Sequence, residues 1–345
     1  MENVQITDAS DNLAVYNDGA TVRAVYTKDG QIIHKGLPFV RIASKEDVDK
    51  CDRFYSAYEG TMLHAIYTGD LWLLGTNKKL SCMKSKWAAK NQTFGQSFQN
   101  ALQRIYVDED DITIDTFLEN KLDRTKSYIF LVRAIEDERL VCQVDPHHPG
   151  AMLLATCLAP GIFDYMDHCT IPEFPRHEMY SREEIGDDVY GFISTKPYMS
   201  GIIGITDNNQ VIRLSLPSYM EKLKVRGVVP CLELRALHLM SHPKELDMLI
   251  QMFPDRLVQY MDRVRFEVDC LCEAYAKCFV VLSNYKVIMS KYANLDKQFM
   301  YIVFKELRRH RFTAGDNVHE SVRNVIRHRF MRLPGTHKRR LLMHI

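Results

Sequence analysis

The sequence lacks a long apolar run, and this excludes an obvious membrane-spanning helix. Its most apolar stretch, PGAMLLATCLAPGIF at 149–163, is broken by Pro160 and is shorter than the ~20 residues that a transmembrane helix needs. The first residues, MENVQITDASDNLAVYNDG, have neither the basic nor the apolar region of a secretory signal. We therefore expect a protein that is not secreted, and a buried segment at 149–163.

The sequence also lacks the regular cysteine spacing of a disulfide framework. Its nine cysteines are an odd number at irregular intervals, which predicts reduced thiols. Cys270 and Cys272 are two residues apart, a step that places them on different faces of a helix. A looser group has no familiar zinc spacing: His147, His148, His168, Cys169 and His177. We predict no metal site.

No internal repeat, low-complexity tract or phosphate-binding loop is present. GITDNN and TKDG lack the Gly-x4-Gly-Lys-Ser/Thr form that such a loop requires. The composition, 46% hydrophobic and 26% charged over 345 residues, is that of a globular protein with room for two domains.

The first 220 residues predict antiparallel sheets. Apolar and β-branched residues flank short polar turns in four segments, which we predict to be hairpins: 20–36 around Lys-Asp-Gly, 61–77 around Thr-Gly-Asp, 126–144 around Glu-Asp and 200–216 around Asn-Asn. A helix is predicted near 95–107. Hairpins with helices packed on them indicate an α+β domain.

After Tyr219 the pattern becomes helical. Apolar residues recur at helical spacing in four segments, 243–253, 255–284, 295–310 and 318–332, the last ending near Pro334-Gly335. We therefore place a boundary near residue 221, between a domain at 1–220 and an all-helical domain at 221–345.

Positive charge is concentrated at the C-terminal end. Residues 305–345 contain eleven lysines and arginines against three acidic residues, whereas the whole chain has a net charge of +1. A basic region of this density favours phosphate, and nucleic acid is its commonest large source.

Three segments resemble, in their order and spacing, the RNA ligases of bacteriophages and large DNA viruses. They are VRAVYTKDGQIIHKGLPFVRIAS at 22–44, YEGT at 58–61 and TNKKL at 76–80. These ligases belong to the covalent nucleotidyltransferase superfamily. The resemblance covers most of residues 1–220 and implies an antiparallel-sheet, ATP-grasp-like ligase domain followed by a helical domain. It also implies a lysine that attacks the α-phosphate of ATP, and carboxylates that hold metal.

The sequence departs from that pattern at five positions. Ala57 stands where the resemblance places the nucleophilic lysine, and Leu131 and Ser200 stand where it places carboxylates. Arg213 and Ser215 replace the two lysines of the closing strand. We therefore predict no catalytic residue, because these changes remove the nucleophile, both carboxylates and both closing lysines, of which Arg213 alone keeps a positive charge.

A rival register places Tyr190-Gly191, instead of Ser200, in the Glu-Gly position, and neither register restores a glutamate. The residues retained from the pattern predict nucleotide or phosphate contacts by Arg41, Glu59, Gly60, Lys78, Lys79 and Arg213. Arg23 adds positive charge, and Trp87 and Phe94 offer rings for bases. Nucleic-acid contacts are predicted for Lys84, Lys86, Arg308, Arg309, Arg311, Arg327, Lys338, Arg339 and Arg340.

Three functional hypotheses remain. The first is an RNA-ligase-like pseudoenzyme that binds nucleic acid, RNA before DNA, or nucleotide, without a cofactor. The second is an active ATP-dependent RNA ligase or nucleotidyltransferase that uses ATP, magnesium and a displaced lysine such as Lys78 or Lys84. The third is a structural protein, for example a virion component. The resemblance also implies a viral protein. We expect a cytoplasmic location, which for a viral protein means the host cytoplasm or the virion, with no membrane partner and with room for protein partners in a larger assembly.

Overall fold

The computed structural model divides the chain into two compact units, Met1–Met220 and Glu221–Ile345. The structure describes residues 5–10, 12–17, 22–43, 45–86, 92–109, 111–133, 140–142, 148–165, 171, 173–206, 210–229, 231–281, 296–309 and 317–342. The first unit contains three sheets and short helices. Within the described part of residues 227–342, every regular element is a helix.

The first sheet is a four-stranded meander. Its strands follow chain order: β1 (Gln5–Ser10), β2 (Leu13–Asn17), β3 (Val25–Lys28) and β4 (Gln31–Lys35). The turn between β3 and β4 is formed by Asp29 and Gly30, which have φ angles of 51° and 76°. Positive φ at both residues is the geometry of a tight hairpin turn, so the hairpin predicted at 20–36 is confirmed. The strands β1 and β2 were not predicted.

The third sheet has the order β12-β6-β13-β14-β5. Its strands are β5 (Arg41–Ile42), β6 (Cys51–Ala57), β12 (Met179–Tyr180), β13 (Gly201–Thr206) and β14 (Val211–Leu214). The β13–β14 pair confirms the hairpin predicted at 200–216. The two-residue β5 runs parallel to β14, while the other described pairs are antiparallel. Two short helices, α3 (Arg182–Ile185) and α4 (Val189–Ser194), pack on this sheet.

The second sheet has the order β11-β10-β9-β7-β8. Its strands are β7 (Thr61–Tyr67), β8 (Trp72–Thr76), β9 (Ser127–Val132), β10 (Ala151–Ala159) and β11 (Ile162–Asp164). Helices α1 (Phe94–Ile105) and α2 (Ile114–Lys121) cover one face through a core that includes Phe98, Phe117 and Phe130. The hairpin at 61–77 and the helix near 95–107 are confirmed. Of the segment 149–163 that was predicted to be buried, residues 150–157 are buried, whereas Leu158 and Ile162 are more than half exposed.

The hairpin predicted at 126–144 is wrong in its second strand. The predicted Glu136-Asp137 turn lies outside the described residues, and residues 140–142 are not a strand. Both edges of β9 are already occupied, one by β7 and the other by β10. A strand that is paired on both sides has no free backbone edge for a third partner.

The remaining helices form the second unit, except that α5 begins in the first. They are α5 (Pro217–Arg226), α6 (Leu232–Leu239), α7 (Pro243–Met252), α8 (Pro254–Val281), α9 (Lys297–Leu307), α10 (Val318–Met331) and α11 (Gly335–Leu342). The apolar positions predicted from helical spacing form one core, with Leu249, Leu271 and Phe330 fully buried. The four predicted helices and the α+β fold class with antiparallel sheets are confirmed.

Candidate functional site

The segment that resembles the nucleophile turn joins β6 to β7. Ala57 is the last residue of β6, pairs with Gly201 of β13, and is 1% exposed. Its carbonyl oxygen accepts two hydrogen bonds from Ser200, one from the backbone nitrogen at 2.7 Å and one from Oγ at 2.8 Å. A methyl group therefore occupies the position from which, by the resemblance, an amine would attack.

Arg213 connects this strand end to the next strand. Its Nη2 donates to Ser200 Oγ at 2.6 Å, and its Nε donates to Ser215 Oγ at 3.1 Å. Four of the five replaced positions thus form one hydrogen-bonded group, which we call the motif cluster: Ala57, Ser200, Arg213 and Ser215. The cluster contains hydroxyls and a guanidinium, but neither an amine nor a carboxylate.

The residue pair of the rival register lies in a helix, whereas Ser200 lies beside the third sheet. Tyr190 and Gly191 lie in α4, where the Gly191 backbone nitrogen donates to Asp188 Oδ1 at 3.0 Å. A helical pair of this kind does not form the strand that the family pattern requires. Ser200, at the start of β13, is the residue that lies beside Ala57.

Leu131 and Gly60 contact each other where the end of β9 meets the start of β7. Leu131 is 4% exposed and belongs to an apolar cluster that includes Tyr58 and Met62. A Cβ atom at Gly60 would lie 2.6 Å from the carbonyl oxygen of Val132 and 2.8 Å from Leu131 Cγ. Gly60 is therefore required by this close approach, and the side chain at position 131 provides packing where a metal ligand was expected.

Glu59 has protein partners for both carboxylate oxygens. Its Oε2 accepts hydrogen bonds from the backbone nitrogens of Val141 and Cys142, both at 2.8 Å. Its Oε1 accepts a bond from the Tyr219 hydroxyl at 3.0 Å. A carboxylate also repels a phosphate of the same charge. Glu59 therefore holds residues 140–142 and the first turn of α5 in place.

The Cys142 thiol lies near this group but is not activated. Its Sγ donates to the carbonyl oxygen of Met199 at 3.5 Å. Burial, followed by the negative charge of Glu59, raises the pKa of Cys142 to about 12. The thiol is therefore protonated at neutral pH, so Cys142 does not replace the missing lysine as a nucleophile.

Positive charge surrounds the motif cluster. The Arg133 guanidinium carbon lies 4.8 Å from the centroid of the Tyr58 ring, and Arg133 is 1% exposed. Burial, and then the charge of Arg213, lowers the pKa of Arg23. The Nε of Arg23 is buried and has no acceptor among the described residues. Neighbouring guanidinium groups favour an anion, because each presents a planar fork of donors to phosphate or carboxylate.

Arg41 has a carboxylate partner at the edge of the third sheet. Its Nη1 lies 3.0 Å from Asp47 Oδ2, and its Nη2 lies 2.9 Å from Asp47 Oδ1. The hydrogen bond to Asp47 raises the pKa of Arg41. Lys50 contacts the same carboxylate at 3.1 Å. The predicted nucleotide contact by Arg41 would have to compete with this two-pronged ion pair.

The segment after β8 presents four of the predicted lysines to solvent: Lys78, Lys79, Lys84 and Lys86. The Nζ of Lys79 lies 3.7 Å from Asp8 Oδ1. Trp87 lies outside the described residues, and Phe94 packs against the core of the second sheet. Phe94 is only partly buried, so stacking of its ring on a base stays a prediction.

The second unit carries most of the positive charge. Residues 221–345 contain 23 lysines and arginines against 13 acidic residues, whereas residues 1–220 contain 22 against 31. Arg327 is paired with Asp269, and Arg340 with Asp296 at 3.0 Å. Three other predicted contact residues, Arg308, Arg309 and Arg339, are exposed. Arg311 lies outside the described residues.

The predicted nucleic-acid contact by Lys338 is wrong. Lys338 is 0% exposed, and its Nζ donates to the carbonyl oxygen of Leu237 at 2.9 Å. Burial lowers the pKa of this amine to about 8. The side chain points into the helical core because the apolar positions of α11 pack against α6, which places the ammonium at a helix carbonyl.

A buried pair of histidines was not found from the sequence. His34 Nε2 lies 3.0 Å from His64 Nδ1, and His64 Nε2 lies 2.8 Å from Asn77 Oδ1. With Asn77 as acceptor, His64 donates from Nε2 and accepts from His34. Burial lowers the pKa of His64 to about 4, so both rings are neutral at pH 7. The only sequence signal is that both occupy inward positions of predicted strands.

In the described ranges, no group of three histidine, cysteine, aspartate or glutamate residues has the arrangement of a metal site. His177, one of the predicted loose group, directs Nδ1 to the carbonyl oxygen of Ser56 at 2.5 Å. No described helix has the length and apolar character that crossing a bilayer requires.

Two viral proteins resemble this chain in sequence. It is 30% identical over 134 residues to the immediate-early protein ICP-46 of frog virus 3, covering 35% of this chain and 33% of that protein. It is 23% identical over 269 residues to the ICP-46 homolog of invertebrate iridescent virus 6, covering 70% and 58%. The chain thus spans less than two thirds of either relative. No protein-family model matches it.

Solved structures to which this chain is similar include ATP-dependent ligases. One is a putative ATP-dependent DNA ligase from Aquifex aeolicus, with 10% identity, a TM-score of 0.38 and coverage of 73% of this chain and 68% of that one. Another is an archaeal ATP-dependent RNA ligase, with 12% identity, a TM-score of 0.40 and coverage of 76% and 71%. Both sequence relatives are viral proteins.

Proposed function

We propose that this chain is a ligase-like viral protein that binds nucleic acid or nucleotide without forming a covalent nucleotide intermediate. The observation that carries the proposal is the hydrogen bonding of Arg213 to Ser200 and of Ser200 to Ala57. Covalent nucleotide transfer needs a nucleophile with an available electron pair. The motif cluster has only an alkyl group at that position and a guanidinium beside it.

The charges around the cluster support binding of an anion. Arg213 lies close enough to Arg23 for its charge to lower the pKa of Arg23, and the charges of Arg133 and Arg213 both act on Cys142. The nearby Glu59 is already bound by three donors. A bound phosphate or polyphosphate would offset the repulsion between these arginines without forming a covalent bond to the protein. Lys78 and Lys79, both exposed after β8, remain proposed contacts to phosphate.

The first experiment tests for a covalent intermediate. The purified protein is incubated with α-labelled ATP or GTP and magnesium or manganese, denatured, and separated on a gel. We expect no label on the wild-type band. A stable label would refute the proposal and favour an active nucleotidyltransferase, and loss of the label in Lys78→Ala or Lys84→Ala would identify the displaced lysine.

The second experiment tests binding. RNA and DNA of the same sequence are titrated with the full chain across a salt series, with RNA expected to bind more tightly. Because phosphate contacts release counterions, affinity should fall steeply as salt rises. Absence of salt-dependent affinity for both nucleic acids, together with absence of nucleotide binding, would refute the proposal and leave a structural role, for example in a virion.

A further inference from the structure

The C-terminal ends of α9 and α10 lie together, and both are rich in arginine. Glu306, in the last turn of α9, forms an ion pair with Arg329, in the last turn of α10. Arg308 and Arg332 are the residues that cap these two helices. Four arginines, including Arg309, therefore occupy one end of the helix pair.

The negative charge at this place is too small to balance the arginines. The hydrogen bond from Arg329, and then the charges of Arg329, Arg309 and Arg332, lower the pKa of Glu306. Three of the four arginines, Arg309, Arg329 and Arg332, thus act on the one carboxylate of Glu306. A helix C-terminus adds about half a negative charge. One carboxylate and two helix ends thus offset about two of the four positive charges.

The outer face of α9 continues this positive surface. Lys297, Tyr301, Lys305 and Arg308 follow each other at steps of four, four and three residues, so they share one helical face. All four are exposed, and Tyr301 is 53% exposed. The guanidinium of Arg308 lies 5.9 Å from the centroid of the Phe304 ring. Cations alternate with aromatic rings along this face.

The outer face of α9 fits nucleic acid better than a lipid surface. Its large apolar residues, Phe299, Met300 and Val303, are buried in the core of the unit. A helix that lies on a membrane needs those residues on its outer face. Arginines fit phosphate groups as planar forks, and an exposed tyrosine offers a flat surface to an unpaired base.

We infer that the α9 surface, defined as Tyr301, Lys305, Arg308, Arg309 and Arg332, binds single-stranded nucleic acid through its phosphates, with Tyr301 stacking on a base. This inference rests on the proposed function and names the surface responsible for it. It assigns roles to Tyr301, Lys305 and Arg332, which the sequence did not single out. It gives no role to Arg327, Lys338 or Arg340, whose cationic groups are already held by protein partners.

The experiment compares two triple variants of the full chain by fluorescence anisotropy with a labelled single-stranded RNA. The surface variant is Arg308→Ala/Arg309→Ala/Arg332→Ala. The control is Arg256→Ala/Arg265→Ala/Lys277→Ala, which removes the same charge from residues that are ion-paired to Glu233, Asp262 and Glu273. Thermal unfolding of both variants verifies that they fold.

The surface variant should bind the single-stranded RNA about tenfold more weakly or worse. The steepness of its plot of log affinity against log salt should also fall by about two, because each of the three lost phosphate contacts contributes roughly 0.7 to that slope. The control should stay within about twofold of wild type, since its charges are balanced by acids. Tyr301→Ala should weaken single-strand binding about fivefold or more, while Tyr301→Phe, which keeps the ring, should not.

The possible failures are distinguishable. If the wild type binds RNA with a steep salt dependence and the surface variant binds equally well, the inference is overturned while the proposed function stands. Equal losses in the two triple variants would also overturn it, because net charge alone would then explain binding. A wild type that binds no nucleic acid would refute the nucleic-acid part of the proposed function, and the inference with it.

Discussion

Arg213 Nη2 and Ser200 Oγ form a 2.6 Å hydrogen bond between the start of β13 and the strand β14. Because Ser200 in turn donates to the carbonyl oxygen of Ala57, the guanidinium is linked through one hydroxyl to the end of β6. Three adjacent strands of the third sheet are thereby joined at one end. The residues that replace catalytic groups have acquired a structural connection of their own.

Replacing Arg213 should destabilise the first unit. Arg213→Ala removes the bonds to Ser200 and Ser215, and hydrogen bonds from charged donors contribute about 1–3 kcal/mol. Arg213→Lys keeps the charge but not the planar fork, so it should restore only part of the loss. Urea unfolding measures the change.

The control is Arg124→Ala, which removes a 57% exposed arginine paired with Glu119 and should cost less than about 1 kcal/mol in the free energy of unfolding. Equal losses for Arg124→Ala and Arg213→Ala would contradict the argument.

Glu59 should control the order of residues 140–142. Glu59→Ala leaves the backbone nitrogens of Val141 and Cys142 without their acceptor, so their amide hydrogens should exchange faster with solvent. Glu59→Gln retains one carbonyl oxygen for these donors and should have a smaller effect. Hydrogen–deuterium exchange of the peptide containing 140–142 measures this, with the exposed Glu173→Ala as control. Unchanged exchange in Glu59→Ala would show that other contacts hold this segment.

Gly60 should not tolerate even a methyl group. In Gly60→Ala the new Cβ would meet the Val132 carbonyl oxygen at 2.6 Å, and backbone atoms of a paired strand move less readily than side chains. We expect a loss of about 1–3 kcal/mol in the free energy of unfolding. The double variant Gly60→Ala/Leu131→Ala removes the side-chain clash but not the backbone one. Its stability should therefore be lower than that of Leu131→Ala alone, and equal stabilities would contradict the proposed clash.

The elements that the sequence predicted are those specified by neighbouring residues. Each correctly predicted hairpin has apolar and β-branched residues on both sides of a short polar turn; these hairpins are β3–β4, β7–β8 and β13–β14. The long helices repeat apolar residues every three or four positions. The partners of β9 were not predictable in this way, because β7 and β10 are distant in sequence. The strand β1, QITDAS, was missed because it has few apolar residues.

The candidate site was predictable only in part. The resemblance to ligases pointed to Ala57, Ser200, Arg213 and Ser215, and the structure brings these four together. Burial of charged groups was not predictable, because it depends on which helix or strand covers them. Lys338 has the same local surroundings in sequence as Arg339, yet the former is buried and the latter exposed. The contacts of Glu59 depend similarly on segments far along the chain.

The buried histidine pair should make stability depend on pH. His64 is neutral in the folded protein down to a pKa of about 4, whereas an unfolded histidine becomes protonated near pH 6.5. Below pH 6.5 the unfolded chain therefore binds more protons than the folded chain. The stabilising contribution is complete above pH 6.5 and is lost as pH falls toward 4, by about 3 kcal/mol for His64.

His64→Gln should reduce this pH dependence. The amide can still bond to Asn77, but it does not titrate, so the variant should lose less stability than the wild type between pH 6.5 and 4. His337→Gln, at an exposed position, is the control and should follow the wild-type curve. The measurement is the urea midpoint at half-unit pH steps. The comparison uses the slope of the urea midpoint against pH, so it is valid even if the variant is less stable at every pH. Parallel curves for His64→Gln and wild type would contradict the argument, because they would mean that His64 is charged or exposed in the folded state.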